Sequence, residues 1–360
     1  MFKIIGMTKL IWKLFKIVLT LLLAFLMYVV IGGVVPFLHH PDVSQTKKEA
    51  VESTQFYSDS AGPDRATIIE DNEEALKMRL RVIKDAKKTL ILSTFDFRSD
   101  DAGKDILAAL LNAADRGVKV EIFADGFNSI IQMENNDYFY ALSSNKNIKI
   151  IIYNQVNILI PWNELGRMHD KYVIADDSLY ILGGRNTFGY FLGDYAGHKN
   201  YDRDVLVYNT GSKDSSIYQI KDYYKKITSQ KCCSVFHYNE SLGEKNSVKK
   251  AEQELKNRYE SLENKYDKFL AENYDYKANT YETNKINLLS NPTSLYAKQP
   301  TVYYGLMYLA KNAKKEVKIH TPYIICNDYM YNELKNIKVP TPITKAVCRW
   351  KTFISQFLYF

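Results

Sequence analysis

The stretch Arg167-Met-His-Asp-Lys-Tyr-Val-Ile-Ala-Asp-Asp-Ser-Leu-Tyr-Ile-Leu-Gly-Gly-Arg-Asn186 decides how this chain is read. Tyr172–Ala175 and Leu179–Leu182 are runs of strand formers on either side of Asp176-Asp177-Ser178, a pattern that predicts a β-hairpin. On an extended strand His169 and Lys171, two residues apart, point to the same face. An imidazole beside an ammonium suits a phosphate: lysine neutralises non-bridging oxygens, and histidine attacks phosphorus or protonates a leaving oxygen. Gly183 and Gly184 allow a tight turn and close backbone approach. Asn186 then offers an amide donor to the same phosphate. The plainer alternative is a hairpin whose histidine is an ordinary surface residue.

Working outward, the flanking sequence alternates helix and strand. Asp71 is placed as an N-cap before Glu73 and Glu74, and Ala75, Leu76, Met78, Leu80, Val82 and Ile83 space a helix that ends near Lys88. Thr89–Phe97 reads as a strand and Lys104–Asp115 as a helix, closed by Arg116-Gly117. Val118–Ala124 is a buried strand stopped at Asp125-Gly126, and Ile148–Tyr153 is another. Strand, helix, strand in this order predicts a right-handed βαβ unit and an α/β layered fold, a mixed sheet flanked by helices. From Ser247, Val248, Ala251, Leu255, Tyr259, Leu262, Tyr266 and Phe269 form an apolar stripe on a charged helix, packed on the domain or serving as a lid or oligomer contact. Asn291-Pro292 and Gln299-Pro300 mark a boundary.

The spacing H-x-K, four residues, D, six residues, G-G-x-N is similar to the signature of the phospholipase D superfamily, with six typed positions between His169 and Asn186. The resemblance runs from about Glu73 to about Lys338. Within the superfamily the chain most resembles bacterial cardiolipin synthases and related phosphatidyltransferases, on the strength of an N-terminal anchor and Thr321-Pro322-Tyr323. The resemblance implies that His169 is the covalent nucleophile or its acid/base partner, and that Lys171 and Asn186 hold the phosphate. Asp176 is then structural, pinning the hairpin. A further carboxylate holds the histidine ring in the family, and family spacing puts it in Tyr201-Asp-Arg-Asp-Val. Asp204 is preferred over Asp202 because it directly precedes the strand Val205–Tyr208. No cofactor or metal is implied. The implied partners are a membrane phospholipid such as phosphatidylglycerol and an alcohol or water acceptor. Nucleic acid is disfavoured, although a single-motif homodimeric phosphodiesterase or nuclease is an alternative, as is a non-catalytic lipid-binding remnant.

Composition sets outer bounds. The 360 residues are 46% hydrophobic and 25% charged, which excludes a wholly disordered chain and suffices for one large core or two modest ones. The net charge of +7 is mild, since Lys3, Lys9, Lys13 and Lys16 all precede the apolar run Ile17–Val35. That run is long enough to span a bilayer, and it is too long for a typical signal-peptide core. Residues 1–16 could lie in the interface as a basic amphipathic helix. The lysines before the run place the N-terminus in the cytoplasm and the main domain outside, in a single-pass cell-membrane protein. Four cysteines are too few for a disulfide scaffold, and the adjacent Cys232 and Cys233 lack zinc-ligand spacing.

The opening of the first domain recurs. Ala86-Lys-Lys-Thr-Leu-Ile-Leu-Ser-Thr is echoed by Ala313-Lys-Lys-Glu-Val-Lys-Ile-His-Thr, each after a helix, here Tyr304–Asn312. Gly117-Val-Lys-Val is echoed by Asn336-Ile-Lys-Val. The organisation expected is therefore an anchor over 1–38, a linker over 39–66 and a first domain over 67–290 with a charged helical segment at 247–275. The start of a second domain follows over 295–339, then an atypical tail over 340–360. His169 lies 83 residues after Ala86, and the same offset from Ala313 falls near residue 396, past Phe360. His320 has no lysine two residues on, and Pro340-Thr-Pro342 interrupts the repeat. The expectation is a chain cut short near Val339 and inactive alone, or else a homodimer in which two His169 residues meet.

Overall fold

Alternating burial along the strands sets the layering between Ser53 and Leu289. Leu90 and Leu92 face one side of the sheet with Val120, Ile122, Ile150, Ile152, Val173 and Ile181, in a core shared with the helices Asn72–Asp85, Asp101–Asp115 and Asn246–Lys265. Phe123 and Tyr172 face the other side, where their rings meet Tyr224 of the helix Ile217–Thr228 at 6.1 and 6.5 Å. Each leucine removed from water in this way contributes roughly 1.5–3 kcal/mol. The computed structural model describes residues 2–237, 240–270, 274–321, 326–337 and 344–347. They fall into two compact units: Ser53–Gln155 with Arg167–Leu289, and Met1–Glu52 with Val156–Gly166 and Ser290–Phe360.

In the larger unit the strands are β1 (Asp64–Ile69), β2 (Thr89–Thr94), β3 (Lys119–Asp125), β4 (Ile148–Tyr153), β5 (Tyr172–Ala175), β6 (Leu179–Gly183), β7 (Asp204–Asn209), β8 (Cys233–Val235) and β9 (Tyr281–Glu282). Among the described residues they form one mixed sheet in the order β8-β4-β3-β2-β5-β6-β7-β1-β9. β2, β3 and β4 are parallel, joined by helical crossovers. β5 returns antiparallel to β2, with Leu90 opposite Ala175 and Ser93 opposite Tyr172. β5, β6 and β7 continue antiparallel. The α/β fold expected from the sequence is the fold found.

Local chemistry fixes the ends of these elements. The Asp71 carboxylate accepts from the Glu73 and Glu74 amides at 2.8 and 3.0 Å, a side-chain cap on the first helix. Gly117, with φ +93°, ends the helix Asp101–Asp115. The first helix stops at Asp85 rather than near Lys88. The amides of Lys87, Lys88 and Thr89 donate instead to the Asp176 carboxylate, each at 2.8 Å.

Residues 39–66, expected to be a linker, contain the helix Gln45–Glu52 and the start of β1. β1 carries little alternation of its own. It exists because β7 pairs with it along its whole length, and because buried Asp64 accepts from the Ser216 amide at 2.9 Å. The charged segment expected at 247–275 is the helix Asn246–Lys265 followed by the turn Asp267–Leu270. It packs on the helices Asp101–Asp115 and Asp137–Ser144, and Arg258 Nε sits 2.6 Å from Asp105 Oδ1.

In the other unit the helix Phe2–Val34 is continuous, so residues 2–16 do not form a separate interfacial helix. Lys9–Phe37 is long and apolar enough to cross a membrane, by length and composition, as a span or a signal sequence would be. The helices Gln45–Glu52 and Thr301–Lys311 pack together. Lys318–Thr321 and Thr344–Val347 pair in parallel, with the helix Asp328–Lys335 between them in sequence. This is the order of the first copy: helix, strand, helix, parallel strand. The echo at Asn336-Ile-Lys-Val does not open the second strand, since Asn336 ends a helix and Ile337 belongs to a small apolar cluster. The strand comes after Pro340 and Pro342, which cannot donate to a ladder, so the tail expected to be atypical over 340–360 contains Thr344–Val347, the partner strand of Lys318–Thr321. Pro322, Tyr323, Val339 and the residues after 347 lie outside the described residues.

Candidate active site

The sheet order brings several chain ends to one rim. Because β5 runs antiparallel to β2, the residues entering β5 lie where β2 ends. His169 and Lys171 therefore sit beside Phe95. The His169 and Phe95 rings are 4.8 Å apart, and Lys171 Nζ lies 5.7 Å from the same ring centroid. β6 runs back to this rim, and its continuation delivers Asn186, whose side-chain oxygen accepts from the Asp96 amide at 3.1 Å. Rims at the carboxyl ends of parallel strands are the usual place for ligand sites in open α/β sheets.

His169 and Lys171 precede β5 rather than lying within the strand. Asp170, between them, is held on another side: its carboxylate accepts from Tyr223 Oη at 2.6 Å and its carbonyl from Ser93 Oγ at 3.3 Å. Lys171 donates to the His169 carbonyl at 2.7 Å and is almost fully buried. Burial lowers its ammonium to about 8, against the raising effect of Asp170, Asp202 and Asp96. For His169, loss of solvation and then the Lys171 charge push the imidazole down to about 4. The residue is nevertheless exposed at the surface, and water reaching the ring moderates that fall. The direction decides the chemistry: at pH 7 the imidazole is neutral and has a free lone pair, while Lys171 keeps its charge.

The glycine pair is required by space. Neither Gly183 nor Gly184 has a left-handed φ. A Cβ on Gly183 would overlap the Asp204 carboxylate, and one on Gly184 the Asp202 carboxylate. Asp204 lies at the start of β7, opposite Gly183. It is buried between two arginines, with Oδ2 2.9 Å from Arg79 Nη1 and 3.2 Å from Arg185 Nη1. Its other oxygen is buried without a hydrogen-bond partner. The structure thus separates Asp204 from the role that the resemblance implied for it. Among the described residues, no carboxylate hydrogen-bonds the His169 ring. Asp202, the alternative set aside, is the one of the two whose charge acts on Lys171. Asp176 takes φ +54° at the hairpin turn, and its three backbone donors tie that turn to the start of β2.

Sequence reading missed Asp125 and Phe95. Asp125 marks the end of β3, but its buried carboxylate also accepts from the Met168 amide at 2.9 Å and pairs with Arg167 at 3.4 Å. It therefore fixes the segment that carries His169. Phe95 was read only as a strand former. Signals existed in both cases: an acidic residue beside a glycine at a strand end, and an aromatic at the carboxyl end of a parallel strand.

A neutral imidazole, a buried ammonium and an oriented amide on one rim suit attack on a phosphodiester. Residues 80–227 match the family described as cardiolipin synthase, PLD-like domain. An uncharacterized protein of Helicobacter pylori is 28% identical over 295 residues, 75% of this chain and 56% of that protein. Cardiolipin synthase B of Salmonella typhi is 31% identical over 142 residues, 39% of this chain and 34% of that one. Among solved structures, phosphatidylserine synthase of Haemophilus influenzae aligns with a TM-score of 0.50 at 14% identity, over 81% of this chain and 63% of that one. Residues 80–227 thus carry a PLD-like domain of the phospholipase D superfamily. The chain spans about half the length, or less, of these curated relatives.

Proposed function

We propose that this rim performs phosphatidyl transfer through His169. The neutral imidazole attacks phosphorus of a phospholipid such as phosphatidylglycerol, and the bond from phosphorus to the headgroup oxygen breaks. The leaving alkoxide takes a proton from a second acid. The acceptor alcohol then attacks phosphorus, gives its proton to the base that the second acid has become, and releases the histidine; water in its place makes the reaction a hydrolysis. Lys171 balances the charge on the non-bridging oxygens and Asn186 donates to one of them. The observation that carries this reading is the clustering of His169 with buried Lys171 around Phe95. The second acid belongs to a second H-x-K unit, and in this reading another copy of the chain or a further domain brings it. A protein acting on phospholipids also suits the apolar helix Phe2–Val34 as an anchor, with the lysines before the span on the cytoplasmic side and the catalytic unit outside.

The test is to incubate the purified chain, reconstituted in vesicles, with labelled phosphatidylglycerol and separately with labelled DNA. A range of protein concentrations is used, and His169→Asn is the control. Turnover of the lipid by the unaltered chain alone supports the reading, and a specific activity that rises with concentration assigns the second histidine to another copy. Lipid turnover surviving His169→Asn, or cleavage of DNA in place of lipid, overturns it. Protease added to intact cells tests the orientation: digestion of the part after residue 40 is expected, and protection until lysis reverses it.

A further inference from the structure

The segment Val156–Gly166 has an unusual surface for a polar chain. Ile158, Leu159 and Trp162 are 54%, 65% and 40% exposed around the turn Pro161–Asn163. In a folded soluble domain, contiguous apolar side chains of this size would mark a surface that something covers.

Two observations say what covers it. The first is where the loop sits within its unit: it packs on the last turns of the apolar helix Phe2–Val34. Tyr28 Oη donates to the Leu159 carbonyl at 2.8 Å. Gly32 approaches Pro161 so closely that a Cβ there would lie 2.6 Å from Pro161 Cγ. At 1.5 Å rise per residue, Tyr28 stands about 10 Å, and Gly32 about 5 Å, short of Val35, where the apolar run ends. That is the depth at which interfacial segments bury their apolar side chains, roughly 5–10 Å into the headgroup–acyl boundary.

The second observation is polar. A segment entering an apolar medium must satisfy its backbone groups internally. Here the Leu159 amide donates to Asn157 Oδ1 at 3.0 Å and the Ile160 amide to the Asn157 carbonyl at 2.8 Å. The Asn163 and Glu164 amides donate to the Ile160 and Pro161 carbonyls, each at 3.1 Å. Tyr28 and Trp162 are of the residue types that gather at membrane interfaces.

We propose that Ile158–Trp162 is a membrane-inserted wedge, seated beside the anchor helix in the headgroup–acyl boundary of a phospholipid bilayer. The wedge lies within Val156–Gly166, a segment that ends three residues before His169 in sequence. This proposal rests on the reading of Phe2–Val34 as a membrane anchor.

The chain's three tryptophans, Trp12, Trp162 and Trp350, give the test. The full chain is reconstituted in phosphatidylglycerol-containing vesicles with lipids brominated at a shallow or a deep acyl position. A Trp12→Phe/Trp350→Phe variant reports on the wedge, and a Trp162→Phe/Trp350→Phe variant on the anchor. Both reporters should be quenched, and Trp162 more strongly by the shallow label than by the deep one. If Trp12 is quenched while Trp162 responds only to aqueous iodide, the wedge lies in water; if Trp162 responds to neither quencher, protein covers it. Either result overturns the proposal and leaves the anchor standing. If neither tryptophan is quenched by lipid, the anchor reading falls and the wedge falls with it. The unaltered chain gives a second reading: a lipid with a diazirine on its acyl chain, photolysed in the same vesicles, should label peptide 156–166. Labelling confined to residues 2–34 would overturn the proposal.

Discussion

The strand–helix–strand beginning at Thr89 and the one beginning at Lys318 share an order and a parallel pairing, but among the described residues the candidate site lies at the first. The first is continued by β5, which returns antiparallel along β2 and places His169 and Lys171 at its end. The second, among the described residues, has a small apolar cluster of Met307, Ala310 and Ile337. The contrast shows that the parallel half of this fold builds a rim, while the antiparallel hairpin brings the reactive groups to it.

The largest effect is expected at the hairpin. His169→Asn should lower phosphatidylglycerol turnover about 10⁴-fold or more in any assembly that shows activity, because a nucleophile has no partial substitute. The circular dichroism spectrum should not change. Retained turnover would leave the hairpin without its proposed chemistry.

Asp204→Ala should cost about 3–5 kcal/mol of stability, because it strands Arg79 and Arg185 as unpaired buried charges. The shift in denaturant midpoint of the full chain in detergent measures this. A change near zero would mean that water relieves the arginines. Lys171→Ala should lower kcat about 10²–10³-fold, the effect of losing one preorganised charge on the phosphate, while Lys171→Arg recovers part of it. A loss of only a few fold would move the phosphate away from this side chain.

Leu92→Ala, in the large core, should cost about 2–5 kcal/mol. Met307→Ala should cost only about 1 kcal/mol, since its small cluster lets water into the gap. Equal costs would erase the distinction between the two regions. The finest test is pH. Since His169 is pushed below its usual 6.5, the acid limb of kcat/KM should lie below that value. Since Lys171 falls to about 8, an alkaline limb should appear there as the ammonium loses its proton, and Lys171→Arg should abolish that limb. An acid limb at 6.5 or above would contradict the solvation of His169 described here.

Much of this was legible in the chain because the signals are local. The hairpin around Asp176, the helix capped by Asp71 and the βαβ order all follow from neighbours within a few residues. What stayed hidden depends on distant partners. β1 is a strand because of β7, whose residues lie more than a hundred positions away. Asp204 and Asp202 are two residues apart in one short run, and sequence has no means of showing that buried Arg79 and Arg185 claim Asp204. Asp125 looked like a strand terminator because the Met168 amide that it holds arrives from forty-three residues later.

The Asp176 clasp also has a consequence for how the protein is made. Its carboxylate holds Thr89 across 87 residues, so the edge of β2 that β5 will cover stays unpaired until that much more chain has emerged. At about 5–20 residues per second, the gap lasts on the order of 4–17 seconds of synthesis. During that interval an apolar strand is open to any neighbouring nascent chain. Slowing translation between residues 95 and 176 should therefore lower the yield of folded protein, whereas the same delay placed after Asn209, when β7 has covered β6 and β1, should cost less.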